Sequence, residues 1–269
     1  VLDEAQMIPT AQLLPCIRAL VELVANYGCT VVVCTATQPA LDEFFSRYGM
    51  SVREITPHPK ELFSSLERVT YCGLGEMADI DLVHEIEGQH QALCIVNSRK
   101  QARKLFDLLR ADGERGLFHL TTLMTPVHRE RVLARVRTAL INGRECKVVA
   151  TSLVEAGVDL DFPTVFRSMA GVDSIIQAAG RCNREGHARA TDSKVLLFAP
   201  SSEYTLPNDV TQKCAVTRDV IRECLGGDVT SIGSIAAIDG YFRRLYSYRA
   251  ADKERVLNTI RNFPENGSE

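Results

Sequence analysis

The sequence predicts an α/β protein built on parallel sheets: the end of one domain, a complete second domain and a mainly helical C-terminal segment. Three observations point to this fold class. Strand-like runs alternate with helix-like runs between residues 69 and 198, which is typical of a parallel α/β sheet. A shorter stretch of the same alternation precedes them, and only helical patterns follow. The 269-residue chain has room for about two domains.

Residues 1–56 have the pattern of the C-terminal part of a first domain. Val1 and Leu2 run directly into Asp3 and Glu4. Because a strand usually carries several apolar residues before such an end, we expect the chain to be a piece of a longer protein. Helical spacing of apolar residues and one β-branched run then predict a helix over 10–27, a buried strand over 30–34, a helix over 40–48 and a linker over 51–59.

Residues 66–200 have the pattern of a complete doubly wound domain. Short apolar runs predict strands over 69–72, 92–96, 117–121, 147–150, 164–167 and 194–198. Apolar residues at helical spacing predict helices over 98–110, 127–141 and 173–180. Residues 201–269 then form a helical linker or the start of an accessory region, with predicted helices over 216–224, 235–246 and 252–260.

Composition excludes several classes of protein. The chain is 45% hydrophobic and 24% charged, near the average of globular domains and unlike disordered or fibrous chains. With a net charge of −3, any nucleic-acid site must be a local patch. Arg18 and Glu22 interrupt the apolar run over 13–25, which falls short of the roughly 18 residues of a membrane helix. Nine cysteines without a C-x-x-C pair predict free thiols in the cytoplasm and no structural zinc.

The residues that follow the predicted strands are polar, and ligands of parallel α/β sheets bind beyond the carboxyl ends of the strands. Asp3 and Glu4 suit nucleotide hydrolysis, because one carboxylate can hold Mg²⁺ while its neighbour polarises the attacking water. A solvated turn is the alternative for this pair. The other polar positions after strands are Thr35, Thr37, Asn97, Ser98, Thr121, Thr122, Thr151, Ser152 and Ser168.

A Q-x-x-x-R-x-x-R segment offers a second candidate phosphate site. At helical spacing Gln177, Arg181 and Arg184 share one face. Forked, permanently charged guanidinium groups fit a γ-phosphate, and an exposed arginine-rich helix is the alternative.

The segment after the predicted strand 147–150 can also bind phosphate, through the hydroxyls of Thr151 and Ser152 and through backbone N–H groups. Gly157 permits close backbone approach and Asp159 can accept hydrogen bonds from a ribose. A strand-to-helix turn with an N-cap is the alternative. Solvated helix faces explain the basic clusters Arg99, Lys100, Arg103, Lys104, Arg129, Arg131, Arg135 and Arg137.

Five segments, taken in order, resemble motifs II to VI of superfamily 2 helicases. They are D-E-A-Q (3–6), T-A-T (35–37), V-N-S-R (96–99), T-S-L-V-E-A-G-V-D (151–159) and Q-A-A-G-R-C-N-R (177–184). The stretches 152–163 and 173–186 in particular resemble the helicase–nuclease family of type I CRISPR–Cas systems, and residues 119–129 and 241–246 are also similar to that family.

The resemblance implies two RecA-like lobes that hydrolyse ATP in the cleft between them and move along single-stranded DNA, in partnership with the CRISPR surveillance complex (Cascade). It implies that Asp3 binds Mg²⁺ and Glu4 activates water. It assigns coupling to Gln6, Thr35 and Thr37, and Gln6 replaces the Asp or His commonest in the superfamily. The remaining implied roles are γ-phosphate contact for Gln177, Arg181 and Arg184, with Arg184 as the arginine finger; nucleotide contact for Asp159, Gly157 and Gln6; and DNA contact for Thr151, Asn97, Thr122 and Ser98.

Two parts of that family are missing from the sequence. It contains no G-x-x-x-x-G-K-[ST] phosphate loop and no His-Asp nuclease domain. We therefore expect this chain alone neither to hydrolyse ATP efficiently nor to cut DNA, and we assign both activities to an intact parent. Two alternatives stay open: a helicase of DNA repair or RNA remodelling, and a nucleic-acid-binding module without ATPase activity.

Overall fold

The computed structural model describes residues 1–35, 37, 40–111, 113, 116–155, 157–247 and 256–261. The chain divides into two compact units, which are taken separately below. Unit 1 comprises Val1–Pro59 with Ile238–Glu269, and unit 2 comprises Lys60–Ala237. In chain order the elements are β1 (Leu2–Asp3), α1 (Leu13–Tyr27), β2 (Val33–Cys34), α2 (Asp42–Ser46), α3 (Pro59–Ser65), β3 (Thr70–Met77), α4 (Asp79–Glu87), β4 (Gln91–Ile95), α5 (Arg99–Ala111), β5 (Leu117–Leu120), α6 (Pro126–Ile141), β6 (Cys146–Ala150), β7 (Thr164–Ser168), α7 (Val172–Ala179), β8 (Lys194–Pro200), α8 (Asn208–Cys224), α9 (Ile235–Ser247) and α10 (Val256–Arg261).

Unit 1 is built around α1 and a short parallel pair of strands. β1 and β2 pair with Leu2 opposite Val33 and Asp3 opposite Cys34. α1 ends at Gly28, whose φ of 63° is the left-handed conformation that favours glycine at a helix end. One face of α1 packs in a core with α2, formed by Ala5, Leu13, Ile17, Val21, Leu41, Phe44 and Phe45.

Unit 2 contains a six-stranded parallel sheet in the order β3-β8-β7-β4-β6-β5 among the described residues. Each predicted strand of this domain is present. β4 is central and its last four residues are buried, as the unbroken apolar run Ala92–Ile95 requires. β3 lies at one edge and pairs only with β8, from Thr70 opposite Lys194. The predicted α/β class with a parallel sheet is therefore confirmed.

The helical C-terminal segment is divided between the two units, which differs from its predicted grouping as 201–269. In unit 2, Cys214 of α8 donates from its Sγ to the Met169 carbonyl, and Gly233 packs closely on the Tyr71 ring. In unit 1, the ring of Tyr246 on α9 packs edge-to-face on Phe44 at 5.4 Å. Side-chain packing thus assigns the residues on either side of position 237 to different cores.

Two short helices lie outside the predicted elements. α3 begins at the end of the predicted linker, and α4 follows β3 after one residue. The predicted helix over 252–260 falls partly outside the described residues, which include it from Val256. Among the helices that the structure describes, none has the length and apolar character needed to cross a membrane.

Candidate functional site

The two acidic residues of unit 1 lie at the carboxyl end of β1. Glu4 has a φ of 53°, a left-handed conformation that is uncommon for residues other than glycine. The Asp3 carboxylate accepts a hydrogen bond from the Glu4 backbone N–H at 3.0 Å, and both side chains are exposed. Mg²⁺ usually binds one or two carboxylates together with water and phosphate oxygens. The exposed Asp3 carboxylate therefore suits the predicted role of Mg²⁺ ligand, and the Glu4 side chain is adjacent to it in sequence.

A chain of hydrogen bonds joins this turn to the residues after β2. The Gln6 Nε2 donates to a Glu4 carboxylate oxygen, and the Thr35 hydroxyl contacts the Gln6 Oε1. The Thr37 backbone N–H donates to the Thr35 hydroxyl at 3.1 Å. Gln6 and Thr37 are buried, so this connection runs through the interior of unit 1. The three predicted coupling residues are thus brought together with Glu4.

In unit 2 the ends of three neighbouring strands are aligned at the carboxyl edge of the sheet. The Val96 N–H donates to the Ala150 carbonyl at 2.9 Å, and the Thr151 N–H donates to the Leu120 carbonyl at 3.1 Å. Consequently the residues that follow β4, β6 and β5 stand in a row along this edge. The predicted nucleic-acid contacts Asn97, Ser98, Thr151 and Thr122 are the side chains of that row.

These side chains differ in what they offer to a ligand. The Thr151 hydroxyl is buried and has no hydrogen-bond partner among the described residues. Thr122 is exposed, whereas Ser98 is buried and its carbonyl accepts the Ala102 N–H of α5. Asn97 uses its side-chain amide internally, because its Nδ2 donates to the Met169 carbonyl at 2.7 Å.

A buried charge pair behind this row was not identified from the sequence. Arg167 of β7 is almost fully buried and lies 2.9 Å from a Glu155 carboxylate oxygen. Its guanidinium also donates to the Asn97 Oδ1 at 2.8 Å and to the Ser174 hydroxyl at 3.0 Å. The Ser174 hydroxyl donates in turn to Glu155 at 2.5 Å. One guanidinium thus joins the ends of β4 and β7, the loop after β6 and the helix α7.

The electrostatics of Glu155 reflect this burial. Burial raises the pKa of its carboxyl, and the Arg167 charge and the Ser174 hydroxyl oppose that increase. A sequence signal for the pair does exist. Arg167 interrupts the otherwise uncharged run of a buried strand, and a buried charge requires a partner.

The loop from Ser152 to Asp161 supplies the predicted nucleotide contacts of unit 2. Gly157 has a φ of 68°, and among the described residues beyond its chain neighbours no atom lies within 4 Å of the position of a Cβ, which leaves room for a ligand at its backbone. The exposed Asp159 carboxylate pairs with the Arg184 Nε at 2.7 Å. The Arg137 Nε donates to the Asp159 carbonyl at 3.1 Å.

The prediction that Gln177, Arg181 and Arg184 share one helix face is wrong. Only Gln177 is helical, because α7 ends at Ala179. Residues 181–183 instead pair with Phe162, whose N–H donates to the Arg181 carbonyl at 2.9 Å and whose carbonyl accepts the Asn183 N–H at 3.0 Å. A non-local backbone pairing therefore replaces the helical turns that the spacing predicts.

The two arginines consequently have different surroundings. Arg181 is buried and donates to the carbonyls of Val154 at 2.9 Å and Glu155 at 2.6 Å, which fixes the loop after β6. The Arg184 side chain is exposed, and the backbone N–H of Arg184 donates to the Asp161 carboxylate at 2.7 Å. Of the two guanidinium groups, that of Arg184 is the more accessible to a ligand.

Comparison with known proteins supports the resemblance read from the motifs. Residues 88–187 match the sequence model of the family described as "CRISPR-associated nuclease/helicase Cas3, C-terminal". A curated CRISPR-associated nuclease/helicase Cas3 of Methanothermobacter thermautotrophicus is 24% identical over 220 residues, which cover 76% of this chain and 26% of that protein. The chain therefore spans about a quarter of this relative's length, and its relation to the superfamily 2 helicases of the Cas3 kind is confirmed.

Solved structures show the same fold. Cas3 of T. fusca with ATP has a TM-score of 0.67 and 17% identity, covering 96% of this chain and 37% of that one. A chain of a structure described as a CRISPR RNA-guided surveillance complex, pre-nicking, has a TM-score of 0.65 and 17% identity, covering 96% of this chain and 39% of that one. The fold is thus that of the RecA-like lobes of these helicases.

Proposed function

We propose that this relative of the Cas3 helicases is part of an ATP-dependent single-stranded DNA translocase that acts in CRISPR interference against foreign DNA in the cytoplasm. The observation that carries the proposal is the row of Thr151 and Thr122 at the carboxyl edge of the large sheet, beside Asn97, whose amide is bonded within the protein. Hydroxyl groups and backbone N–H groups at such an edge bind phosphates without reading the bases. Contacts of this kind suit a protein that must move along any sequence.

The residues that resemble motifs II, V and VI would carry out hydrolysis in this proposal. Asp3 would hold Mg²⁺, which neutralises charge on the phosphates, and Glu4 would orient the attacking water. Arg184 would stabilise the charge on the transferred phosphoryl group, and Asp159 would bind the ribose. Arg184 must leave Asp159 to do so. Exposed ion pairs contribute only about 0–1 kcal/mol, so this exchange costs little.

The proposed parent is longer than this chain and carries the phosphate loop. The chain's 26% share of the M. thermautotrophicus relative supports that view. One neighbouring structure is described as a CRISPR RNA-guided surveillance complex, which supports such a complex as the partner. The T. fusca structure is one of Cas3 with ATP, which supports ATP as the nucleotide.

The full chain is expected to bind single-stranded DNA weakly, with an affinity that falls as salt increases. A plot of log affinity against log salt should have a slope of about −0.7 for each phosphate contacted. Fluorescence anisotropy with labelled oligonucleotides of unrelated sequence measures both quantities. Tight, salt-insensitive binding of one particular sequence would contradict contact with the backbone.

A Thr122→Asp variant tests the place of this binding. It puts a negative charge on the exposed edge and should weaken binding roughly fivefold by repulsion of the phosphates. Thr191→Asp is the matched control. Thr191 is also exposed, but it precedes β8 and so lies at the amino end of the strands, opposite the carboxyl edge. Equal losses of DNA affinity in Thr122→Asp and Thr191→Asp would contradict binding of DNA at the carboxyl edge.

Substitution of Gln6 is expected to separate hydrolysis from DNA binding in the complete parent. Gln6→Leu removes the hydrogen bonds that Gln6 makes with Glu4 and with Thr35, so DNA should stimulate ATP hydrolysis less, by a coupling free energy of about 1–3 kcal/mol. Steady-state ATPase rates with and without DNA give this value. Gln12→Leu is the control, because Gln12 lies outside this chain of hydrogen bonds, and it should retain full stimulation by DNA. Full stimulation in Gln6→Leu as well would contradict a coupling role for these hydrogen bonds.

A further inference from the structure

Two apolar side chains stand exposed where the loop after β5 leads into α6. We refer to residues 121–128, which include the first turn of α6, as the 121–128 loop. Leu123 is 75% exposed and Val127 is 60% exposed, whereas most large apolar residues of unit 2 are buried. The loop itself is well defined, because the Met124 N–H donates to the Thr121 carbonyl at 3.1 Å and Thr125 caps α6. The local conformation therefore keeps both apolar side chains out of the core.

The 121–128 loop lies next to the proposed phosphate-binding row. Thr151, at the centre of the proposed phosphate-binding row, donates from its N–H to the Leu120 carbonyl. Leu123 follows Leu120 by one turn, and Thr122 of the row is its neighbour in sequence. Any strand held by its phosphates along this row thus passes beside the 121–128 loop.

The charge around the loop favours a polyanion over an apolar protein surface. Residues 121–141 contain four arginines and one acid, Glu130. Among the ion pairs of the described residues, none involves Arg129, Arg131, Arg99 or Lys100, and the last two begin the neighbouring helix α5. A single strand presents phosphates to such cations and exposes base faces that apolar side chains can contact.

We propose that Leu123 and Val127 contact the bases of single-stranded DNA while the neighbouring row holds its phosphates. This inference rests on the proposed function and extends it to a contact with the bases. Aliphatic side chains pack against any base face, so the contact adds affinity without sequence preference. Because no charge is involved, its contribution is independent of salt.

The test is DNA binding by the full chain with Leu123→Ala, Val127→Ala and the double variant. Truncating side chains that become partly buried against bases should weaken binding by the double variant about five- to tenfold. The slope of log affinity against log salt should not change, because the number of phosphates contacted stays the same. Ile141→Ala is the matched control, since Ile141 is 84% exposed at the far end of α6, and it should bind like the wild type.

An abasic oligonucleotide of the same length isolates the contact with bases. Its phosphates remain, so wild type and double variant should bind it equally. An equal loss on the normal and the abasic strand, or no loss on either, would overturn this inference while leaving the proposed function in place. Absence of binding by the wild-type chain to the normal strand would overturn both.

Discussion

Arg184→Ala is expected to lower the DNA-stimulated rate of ATP hydrolysis in the complete parent by about 10³–10⁵, the range of arginine fingers in other phosphoryl-transfer enzymes. The reason is structural. Arg181 is occupied by the carbonyls of the loop after β6, so Arg184 supplies the accessible guanidinium of this segment. Single-strand binding should persist, because Arg184 lies outside the row at the carboxyl edge. An unchanged rate of ATP hydrolysis in this variant would contradict the assignment of Arg184 as the arginine finger.

Two further variants separate loss of the finger from other causes. Asp159→Ala breaks the same ion pair but retains the guanidinium, so it should raise the KM for ATP with a much smaller effect on kcat. Arg189→Ala removes another exposed arginine, five residues later, and should leave both parameters unchanged. A kcat of Asp159→Ala as low as that of Arg184→Ala would mean that the pair, not the free arginine, is needed.

Arg167→Leu is expected to cost about 3–5 kcal/mol of the free energy of unfolding of unit 2, the usual result of removing one partner of a buried ion pair. The substitution leaves the Glu155 carboxylate buried without its guanidinium and removes the bonds to Asn97 and Ser174. Urea unfolding of the full chain, followed at the transition of unit 2, measures the loss.

The design of this experiment includes a rescue and a surface control. Replacing both partners, with Arg167→Leu and Glu155→Leu, should recover part of the loss, because no unpaired charge remains. Arg222→Leu breaks exposed pairs with Asp219 and Glu223 and should cost about 0–1 kcal/mol. Equal small losses for Arg167→Leu and Arg222→Leu would show that the buried pair contributes little to stability.

The sequence predicts the large sheet well because its four inner strands, β4, β6, β7 and β8, are largely buried on both faces. Such strands are mainly apolar runs, which differ clearly from the polar segments between them. The sequence pattern does not predict α3 and α4, because these helices are short and begin close to neighbouring elements. Their limits depend on the tertiary packing of unit 2 and not on a long periodic pattern.

The candidate site is predictable in its residue types but not in their arrangement. Motif resemblance selects Gln6, Thr35 and Thr37, yet the hydrogen bonds that join them depend on the pairing of β1 with β2. Likewise, helical spacing extends α7 through Arg184, while backbone pairing with Phe162 ends it. Contacts between residues distant in sequence set both outcomes, and no local pattern encodes them.

The pairing of β3 with β8 has a consequence for how unit 2 is made in the cell. β3 is among the first segments of this unit to leave the ribosome, but its partner, from Lys194 to Pro200, is among the last. Until then the edges of β3 and β7 lack their common neighbour, and unpaired edges promote aggregation. We therefore expect slow, late completion of the sheet, and aggregation of any translation product that stops before Lys194.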